Sequence, residues 1–413
     1  MAGRLERRSI GLVPASATSD ATLLVLARGA RAFADGFISV LLPVYLLTLG
    51  FSEFRVGAIS TATLLGSAAL TLLIGLVAYR LRRRSLLLGA AMLMAATGVA
   101  FATVHSFWPL VLVAFLGTLN PSAGDVSVFL PLEQTLLPQT VDDRERTSLF
   151  ARYGLVASLT GAVGALAAGT PALIARESSL SLRQALEGMF LVYAVIALVA
   201  MAFYRHLSPA IEPPADQPPV PLRESKRIVY TLAALFSLDT FGSGFVVQSL
   251  LALWLFQRFD LSIATTATIF FWTGLFSAVS YPVAAWLSRR IGLVNTMVFS
   301  HLPANIFLIL VPFMPSLGLA ITLLLARSLL SQMDVPTRNS YVMAVVTPAE
   351  RPAAASVTAV PRSLASSASP LISGWLLSIS PFGWPLVIAG SLKATYDLLL
   401  LAMFKSVRPP EER

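Results

Sequence analysis

Long apolar segments without charged side chains constrain the fold of this chain more than any other feature of its sequence. Residues 86–104 read LLLGAAMLMAATGVAFATV and contain no charged residue. A helix of about 20 residues is needed to cross the roughly 30 Å of hydrocarbon in a bilayer. The strands of a membrane barrel would instead give alternating segments of about ten residues. This segment therefore predicts a transmembrane α-helix.

The composition of the whole chain leads to the same class. Of its 413 residues, 56% are hydrophobic and only 12% are charged, whereas soluble proteins carry about 25% charged residues. We expect an all-α polytopic membrane protein, embedded in a lipid bilayer, with twelve transmembrane helices. The predicted spans cover residues 21–49, 56–79, 86–105, 109–137, 149–173, 186–205, 228–256, 263–288, 294–313, 317–346, 353–379 and 383–405.

Several kinds of chemistry lack support in the sequence. The chain has no cysteine, and its three histidines (His105, His206 and His301) are far apart, so neither a disulfide nor a histidine-based metal site is predicted. No G-x-x-x-x-G-K-[ST] loop for nucleotide phosphates occurs, and no nucleophile–base pair stands out. We therefore expect a protein that is not an enzyme, uses no cofactor, and is driven by a gradient of protons or solute.

A polar, proline-rich segment at residues 206–227 divides the chain. It predicts an extended cytoplasmic linker between an N-terminal six-helix bundle (1–205) and a C-terminal one (228–413). With both termini in the cytoplasm, cytoplasmic segments hold 19 basic residues and the opposite side holds 4, as the positive-inside rule requires. The basic residues are spread over many loops, so no nucleic-acid partner is expected. The inner (cytoplasmic) membrane is the expected location.

Two segments of the chain align without a gap at an offset of 205 residues. Residues 131–147 are PLEQTLLPQTVDDRERT, and residues 336–352 are PTRNSYVMAVVTPAERP. The alignment pairs Glu145 with Glu350 and, further along, Gly169 with Gly374, whereas Glu133 falls on Arg338. The offset predicts two duplicated halves whose fourth and tenth spans are equivalent, an arrangement typical of secondary transporters. Opposite charges at one matched position suggest a contact between Glu133 and Arg338 in one state of a transport cycle.

The two halves, the charged linker and one loop resemble the major facilitator superfamily over nearly the whole chain. The family's loop after the second span reads G-x-L-A-D-R-x-G-R-R, and residues 75–84 here read GLVAYRLRRR, with Tyr79 in place of the aspartate. The resemblance implies alternating access around a cavity lined by spans one, four, seven and ten. It also implies a cytoplasmic gate, for which the candidates are Gly75, Arg80, Arg83, Arg84, Arg152 and Arg362.

Ionisable residues inside the predicted spans are concentrated on these four helices. Their candidate role is to bind a polar substrate or carry protons, since ionisable groups inside a membrane mark functional sites. Structural ion pairs that let helices pack are the alternative for any single pair. The nine residues are Arg28, Arg31, Asp35, Asp125, Glu133, Asp239, Arg327, Asp334 and Arg338. Phe241 and Phe245, in a glycine-containing FGSGF segment that permits a bend, are candidates for an aromatic cavity wall. Asn120-Pro121 similarly predicts a kink in the fourth span.

Residues outside these four spans are given structural roles. Lys393 and Asp397 lie four residues apart on the last span and predict a local ion pair. His301 is predicted to be a hydrogen-bonded packing residue. Arg152 and Arg362 are predicted near the cytoplasmic mouth, where snorkelling to the interface explains them.

Three hypotheses for function follow. The first is a monomeric secondary transporter that exports a small polar or amphipathic drug or metabolite with proton coupling through Asp35 or Asp239. The second is a transporter, by uptake or exchange, of organic anions bearing carboxylate or phosphate. Its anion would be bound by the cavity arginines Arg28, Arg31, Arg327 and Arg338, since arginine pairs bidentately with such groups. The third, and least supported, is a membrane enzyme or a receptor that does not transport.

Overall fold

A computed structural model describes residues 13–77, 81–122, 128–142, 145–212, 222–347, 350–405 and 407. Within these ranges the regular structure is helical, which confirms the predicted fold class. The helices of the first half are α1 (Ser19–Thr48), α2 (Glu53–Val77), α3 (Arg83–Thr103), α4 (Phe107–Leu116), α5 (Phe129–Leu136), α6 (Arg146–Ala167), α7 (Thr170–Glu177) and α8 (Leu182–Arg205). Those of the second half are α9 (Lys226–Gly244), α10 (Gln248–Phe259), α11 (Ile263–Ile291), α12 (Leu293–Leu310), α13 (Leu317–Leu330), α14 (Asp334–Val345), α15 (Arg351–Ile379) and α16 (Trp384–Phe404).

The helices correspond to the twelve predicted spans. Ten helical stretches among the described residues are long and apolar enough to cross a membrane. The fourth span is formed by α4 and α5, which flank the undescribed residues 123–127. The eleventh span is α15, whose 29 residues exceed the required length but include many serines and the prolines Pro361 and Pro370. Short interruptions divide spans five, seven and ten into the pairs α6–α7, α9–α10 and α13–α14.

The fourth and seventh spans both lose helical structure at positions where the sequence predicts a bend. Helix α4 ends at Leu116, before the Asn120–Pro121 pair, and α9 ends at Gly244, within the FGSGF segment. The two interruptions meet, because the amide of Ser249 donates a hydrogen bond to the carbonyl of Pro121 at 3.0 Å. Non-helical backbone inside a membrane must find such partners, because lipid supplies none. This contact joins the two halves.

Helix packing has the same pattern in both halves. In the first half α1 packs on α6 and α8; in the second half α9 packs on α15 and α16. The halves meet where α2 packs on α15 and where α6 packs on α11. Gly374 of α15 lies so close to α2 that an added Cβ would be 2.7 Å from the carbonyl oxygen of Glu53. Its repeat partner Gly169 lies at the matching contact, where an added Cβ would be 3.6 Å from Cα of Ala264.

The repeat-related glutamates Glu145 and Glu350 perform the same task in the two halves. Glu145 accepts hydrogen bonds from the amide of Ser16 at 3.0 Å and from its hydroxyl at 2.6 Å, just before α1. Glu350 accepts from the amides of Arg223, Glu224 and Ser225, just before α9, at 2.6–3.0 Å. Each carboxylate therefore connects the start of the fifth span of its half (α6 or α15) to the segment just before the first span of that half (α1 or α9).

These hydrogen bonds lower the pKa of both carboxyl groups. The amide of Arg223, with those of Ser225 and Glu224, lowers the pKa of Glu350 to about 2. The Ser16 hydroxyl, followed by the Ser16 amide, lowers the pKa of Glu145 below its usual value. Both carboxyl groups remain charged at any physiological pH, so their hydrogen bonds at the helix termini persist over that range.

We expect Glu350→Gln to lower the melting temperature of the detergent-purified protein most near pH 7. A carboxyl group whose pKa is lowered by folding stabilises the protein above its unfolded pKa of about 4.3, and the stabilisation disappears as pH falls through the folded value. The difference between wild type and variant should therefore shrink from about pH 4.3 to pH 2. Glu224→Gln, at an exposed neighbouring side chain, is the control. A difference that is unchanged at pH 2.5 would contradict the explanation.

Candidate functional site

Glu133 is the centre of a buried polar cluster inside the first half. Its carboxylate is fully buried and accepts a hydrogen bond from Nη2 of Arg31 at 2.5 Å. The hydroxyl of Tyr204 donates to its other oxygen, Oε1, at 2.5 Å, and the hydroxyl of Tyr153 donates to Oε2, the oxygen that Arg31 contacts. The Arg31 guanidinium lies 4.1 Å from the ring centroid of Phe129 and donates from Nε to the Tyr204 hydroxyl at 2.9 Å. Helices α1, α5, α6 and α8 thus converge on one carboxylate.

The predicted contact between Glu133 and Arg338 is not formed in this structure. Glu133 pairs with Arg31 of its own half, and Arg338 pairs with two aspartates of the other half. The physical reason is proximity, because each residue faces an opposite charge on an adjacent helix within its own bundle. The cost of burying either charge is therefore met locally.

The second half contains a larger cluster around Asp239. Nζ of Lys393, on α16, lies 2.6 Å from Oδ1 of Asp239, and Nη1 of Arg338, on α14, lies 3.1 Å from Oδ2. Arg338 also pairs with Asp334 at 3.2 Å, as the spacing of four residues predicts. Lys393 donates a further hydrogen bond to the Ser243 hydroxyl at 2.7 Å.

The predicted local pair between Lys393 and Asp397 is wrong for this structure. Lys393 contacts Asp239, while Asp397 accepts from Nδ1 of His301 at 2.9 Å and from the Asn305 amide at 2.8 Å. Partners on α9 and α12 reach the two side chains, so the i,i+4 pair is replaced by contacts between helices. His301 is hydrogen-bonded and buried, and Lys393 joins the charge cluster instead of lying apart from it.

The two clusters contain the same ion pair with inverted polarity. In the first half the cation, Arg31, is on the first span and the acid, Glu133, is on the fourth. In the second half the acid, Asp239, is on the seventh span and the cation, Arg338, is on the tenth. Equivalent helices are therefore joined by equivalent ion pairs, which explains why the repeat aligns Glu133 with Arg338.

Arg362 lies in the second cluster and not at the cytoplasmic mouth. Its guanidinium carbon is 5.9 Å from the ring centroid of Phe236, and that of Arg338 is 5.4 Å from the same centroid. Arg362 also interacts electrostatically with Asp239. Arg362 is eleven residues after the first residue of α15, which corresponds to about 16 Å of helix. Because it lies this far from the helix end and contacts the cluster, the prediction that its side chain snorkels to the interface is wrong for this structure.

Three buried Nε atoms of the second half have no acceptor among the described residues: those of Arg327, Arg338 and Arg362. Arg338 already pairs with Asp239 and Asp334 through Nη1. Arg327 and Arg362 interact electrostatically with Asp239 but have no described ion pair. Leaving a donor on a charged group unpaired inside a protein costs at least about 1–3 kcal/mol. The Nε donors of Arg327 and Arg362 are therefore the features of the cluster that call for an additional partner.

Asp35 lies in a different setting, beside the interruption of the fourth span. The side-chain amide of Asn120 donates to its Oδ2 at 3.4 Å, and the carboxylate is buried. Asn120 also accepts hydrogen bonds from the amide and hydroxyl of Ser122, at 3.0 and 2.8 Å. Asp35 is thus adjacent to the contact between Pro121 and Ser249 that joins the halves.

The remaining predicted site residues occupy several places. Arg28 lies 5.6 Å from the ring centroid of Tyr153, beside the first cluster. Phe241 and Phe245 form an edge-to-face pair with centroids 5.4 Å apart, and Phe245 is buried. Asp125 and Arg80 lie outside the described residues. For Gly75 only its place near the end of α2 is described.

The arginines of the loop motif contact the end of the first half. The amides of Arg83 and Arg84 donate to Glu212 at 2.9 Å each, and the Arg84 guanidinium donates to the carbonyl of Arg205. Arg152 of α6 interacts electrostatically with Glu145. A gating role for these residues stays a prediction.

Sequence reasoning missed several members of the clusters. Tyr153, Tyr204, Asn120, Ser243 and Asn305 are uncharged, so a search for ionisable residues in spans passes over them. Tyrosine, asparagine and serine side chains in membrane spans are ordinary in sequence, and only the convergence of helices identifies these five. The location of Asn120 beside a proline was the one available signal.

The sequence profile of the Major Facilitator Superfamily matches residues 24–331. The chain belongs to this superfamily. A curated relative, "Uncharacterized membrane protein YJR124C" of Saccharomyces cerevisiae, is 24% identical and covers 95% of both chains.

Solved structures share the fold. A bacterial homolog of the human lysosomal transporter Spinster, in an inward-facing and occupied conformation, has a TM-score of 0.72 at 14% identity, covering 94% of this chain and 97% of its own. The human organic anion transporter MFSD10 (TETRAN) has a TM-score of 0.65 at 20% identity, covering 92% and 98%. At these identities the likeness shows the fold alone. Family and fold together indicate a multi-pass membrane transporter for a small molecule and not an enzyme.

Proposed function

We propose that this chain is a secondary transporter of a small organic anion and that the anion binds at Arg327 and Arg362. The observation that supports this is that both guanidinium groups interact electrostatically with Asp239, have no described ion pair, and keep a buried Nε donor without a described acceptor. A carboxylate or phosphate group is the partner that a guanidinium recognises best, because it can accept two parallel hydrogen bonds.

The charge balance of the second cluster supports the same substrate class. Arg327, Arg338, Arg362 and Lys393 are opposed by the three carboxylates of Asp239, Asp334 and Asp397. Asp239 already accepts from Lys393 and Arg338, and Asp397 from His301 and Asn305. The described carboxylates are therefore engaged, and one positive charge remains in excess. An anionic substrate would neutralise it.

The contacts between the halves suggest how the site is reached. Two described hydrogen bonds join the halves. One links Gln257, near the end of the seventh span, to Glu53 at the start of the second span. The other links Ser249, just after the interruption of the seventh span, to Pro121 at the interruption of the fourth. The close approach of Gly57 and Gly374 is on the same side. We infer that this side is closed. Rocking of the halves would then expose the site alternately.

Proton coupling is the second element of the proposal, and Asp35 is its candidate residue. Asp239 is less suited, because two cations on different helices contact it and favour its charged form. Asp35 accepts a hydrogen bond from the neutral amide of Asn120, interacts electrostatically with Arg31, and lies beside the interrupted fourth span. Efflux of a drug or metabolite stays a prediction from the sequence, since the geometry favours an anion without indicating a direction.

We expect organic anions to raise the melting temperature of the purified protein, and Arg362→Gln to remove this response. The probes are three panels of small carboxylates and organophosphates, amines, and neutral sugars or nucleosides. Loss of a charge-assisted hydrogen bond should weaken the apparent affinity about 10–100-fold. Arg258→Gln, at an exposed arginine near the end of α10, is the matched control and should respond as wild type. Stabilisation by amines alone, or an unchanged response of Arg362→Gln to anions, would refute the anion site.

A further inference from the structure

The imidazole ring of His301 lies between two carboxylates on different helices. Its Nδ1 is 2.9 Å from Oδ1 of Asp397 on α16, and its Nε2 is 3.8 Å from Oδ1 of Asp239 on α9. The ring itself belongs to α12 and is 2% exposed. Its two nitrogens therefore connect the ninth, twelfth and seventh spans.

The charged groups around His301 come from every helix that packs near it. Helix α16 contributes Lys393, Tyr396 and Asp397, helix α9 contributes Asp239, and helix α14 contributes Asp334 and Arg338. Arg327 of α13 lies near Asp239, whereas Arg289 and Arg290 of α11 are exposed at the end of that helix. The nearest opposite charges are thus the two carboxylates, and the nearest like charge is Lys393.

Only a protonated imidazole has an N–H on both nitrogens, whereas a neutral one donates from a single nitrogen. The cation can face Asp397 and Asp239 at the same time, which a neutral ring cannot do equally well. Protonation of His301 also adds one positive charge next to Asp239, the residue that links the ring to Arg327 and Arg362. The occupancy of this proton therefore changes the field at the anion site.

We propose that His301 is a proton-binding site of the second half whose proton promotes the binding of the anionic substrate. The inference rests on the proposed function and specifies how substrate binding depends on pH. By reciprocity, a bound anion must strengthen the binding of the proton by the same factor that the proton strengthens the binding of the anion. His301 then adjusts the affinity of the anion site to pH, whereas the proton that drives accumulation is the one proposed at Asp35.

The first test needs no substrate. The chain has three histidines, so protein labelled with ¹³C or ¹⁵N only in histidine gives three sets of imidazole resonances. The set that disappears in His301→Gln belongs to His301. We expect its shifts to move as the pH is varied over the range in which the protein stays folded, and His206→Gln, which removes an exposed histidine, to leave this titration intact. A His301 resonance that does not move across this range would overturn the proposal.

The second test measures the linkage. The affinity of wild type for an anion that stabilises it thermally should fall about tenfold as His301 loses its proton, because one unit charge several ångströms away is lost. His301→Gln should show an affinity that varies less than about twofold over the same pH range. Proton uptake on anion binding, followed with an indicator dye in weak buffer, should occur in wild type and be absent in the variant.

The outcomes separate this proposal from the proposed function. If no anion binds wild type, the proposed substrate class fails, while the resonance titration still reports on the proton site. If anions bind with the same pH dependence in wild type and His301→Gln, the His301 proposal fails and the anion site stands. Asp397→Asn, which keeps the shape of the hydrogen-bond partner but removes its charge, serves where His301→Gln does not fold. It is expected to weaken the pH dependence of anion affinity, as His301→Gln does. An unchanged pH dependence would contradict a proton site at His301 that faces Asp397.

Discussion

Glu133→Ala is expected to lower the free energy of unfolding of the purified protein by about 3–5 kcal/mol, the usual cost of removing one partner of a buried ion pair. Glu133 is fully buried, and the Arg31 guanidinium would lose its carboxylate partner. The hydroxyl groups of Tyr153 and Tyr204 would lose their acceptor as well. The measurement is unfolding in detergent, by denaturant or by heat, with wild type as reference.

Two matched variants show whether the loss arises from an uncompensated charge. Replacing both partners, with Arg31→Met and Glu133→Leu, removes the buried charge completely and should recover most of the stability. Glu187→Ala, in a partly exposed pair with Arg183 and His105, should cost less than about 1 kcal/mol. If Glu133→Ala costs no more than Glu187→Ala, the cluster does not stabilise the first half.

The same double variant separates the two interpretations of the intramembrane charges. A stable Arg31→Met/Glu133→Leu protein that still transports would make this pair structural. A stable protein that does not transport would give the pair a role in the cycle, since the fold would be intact. The sequence left these alternatives open for each pair, and the structure favours the structural one for Arg31 and Glu133 because both are buried inside one bundle.

The class of fold was predictable from the sequence because hydropathy and helix length depend on local composition. The bilayer requires about 20 apolar residues for each helix, whatever the helix packs against. The interruptions at Asn120 and around Gly242 were predictable for a similar reason, since proline and glycine change the backbone where they stand. The repeat at an offset of 205 was sufficient to pair Glu145 with Glu350 before their identical contacts were known.

The partners of the charges were not predictable in the same way. Lys393 and Asp397 satisfy the i,i+4 rule, yet their partners are on α9 and α12, because contacts between helices depend on how the helices rotate in the bundle. Arg362 was predicted near the cytoplasmic mouth because it is early in the eleventh span, but it lies about 16 Å along α15 from the start of that helix. Choosing among several opposite charges requires the tertiary structure.

Asp35→Asn is expected to abolish accumulation of the anion driven by a proton gradient. One proton per solute and a pH difference of one unit can support about tenfold accumulation, because 1.4 kcal/mol corresponds to a factor of ten. The variant should reach a concentration ratio of about one in the same reconstituted vesicles. Asparagine can keep a hydrogen bond with Asn120, but it cannot bind and release a proton. The measurement is uptake of labelled anion with an imposed pH gradient.

Exchange of labelled for unlabelled anion, without a gradient, is the accompanying measurement. It should persist within a few-fold in Asp35→Asn, because the cycle can return loaded without moving a net proton. Asp260→Asn is the matched control: Asp260 is exposed and has a left-handed backbone (φ +48°) that asparagine also adopts. Asp239→Asn should lose both activities, because Lys393 and Arg338 would each lose a carboxylate partner. Gradient-driven accumulation by Asp35→Asn equal to that of Asp260→Asn would exclude Asp35 as the coupling residue.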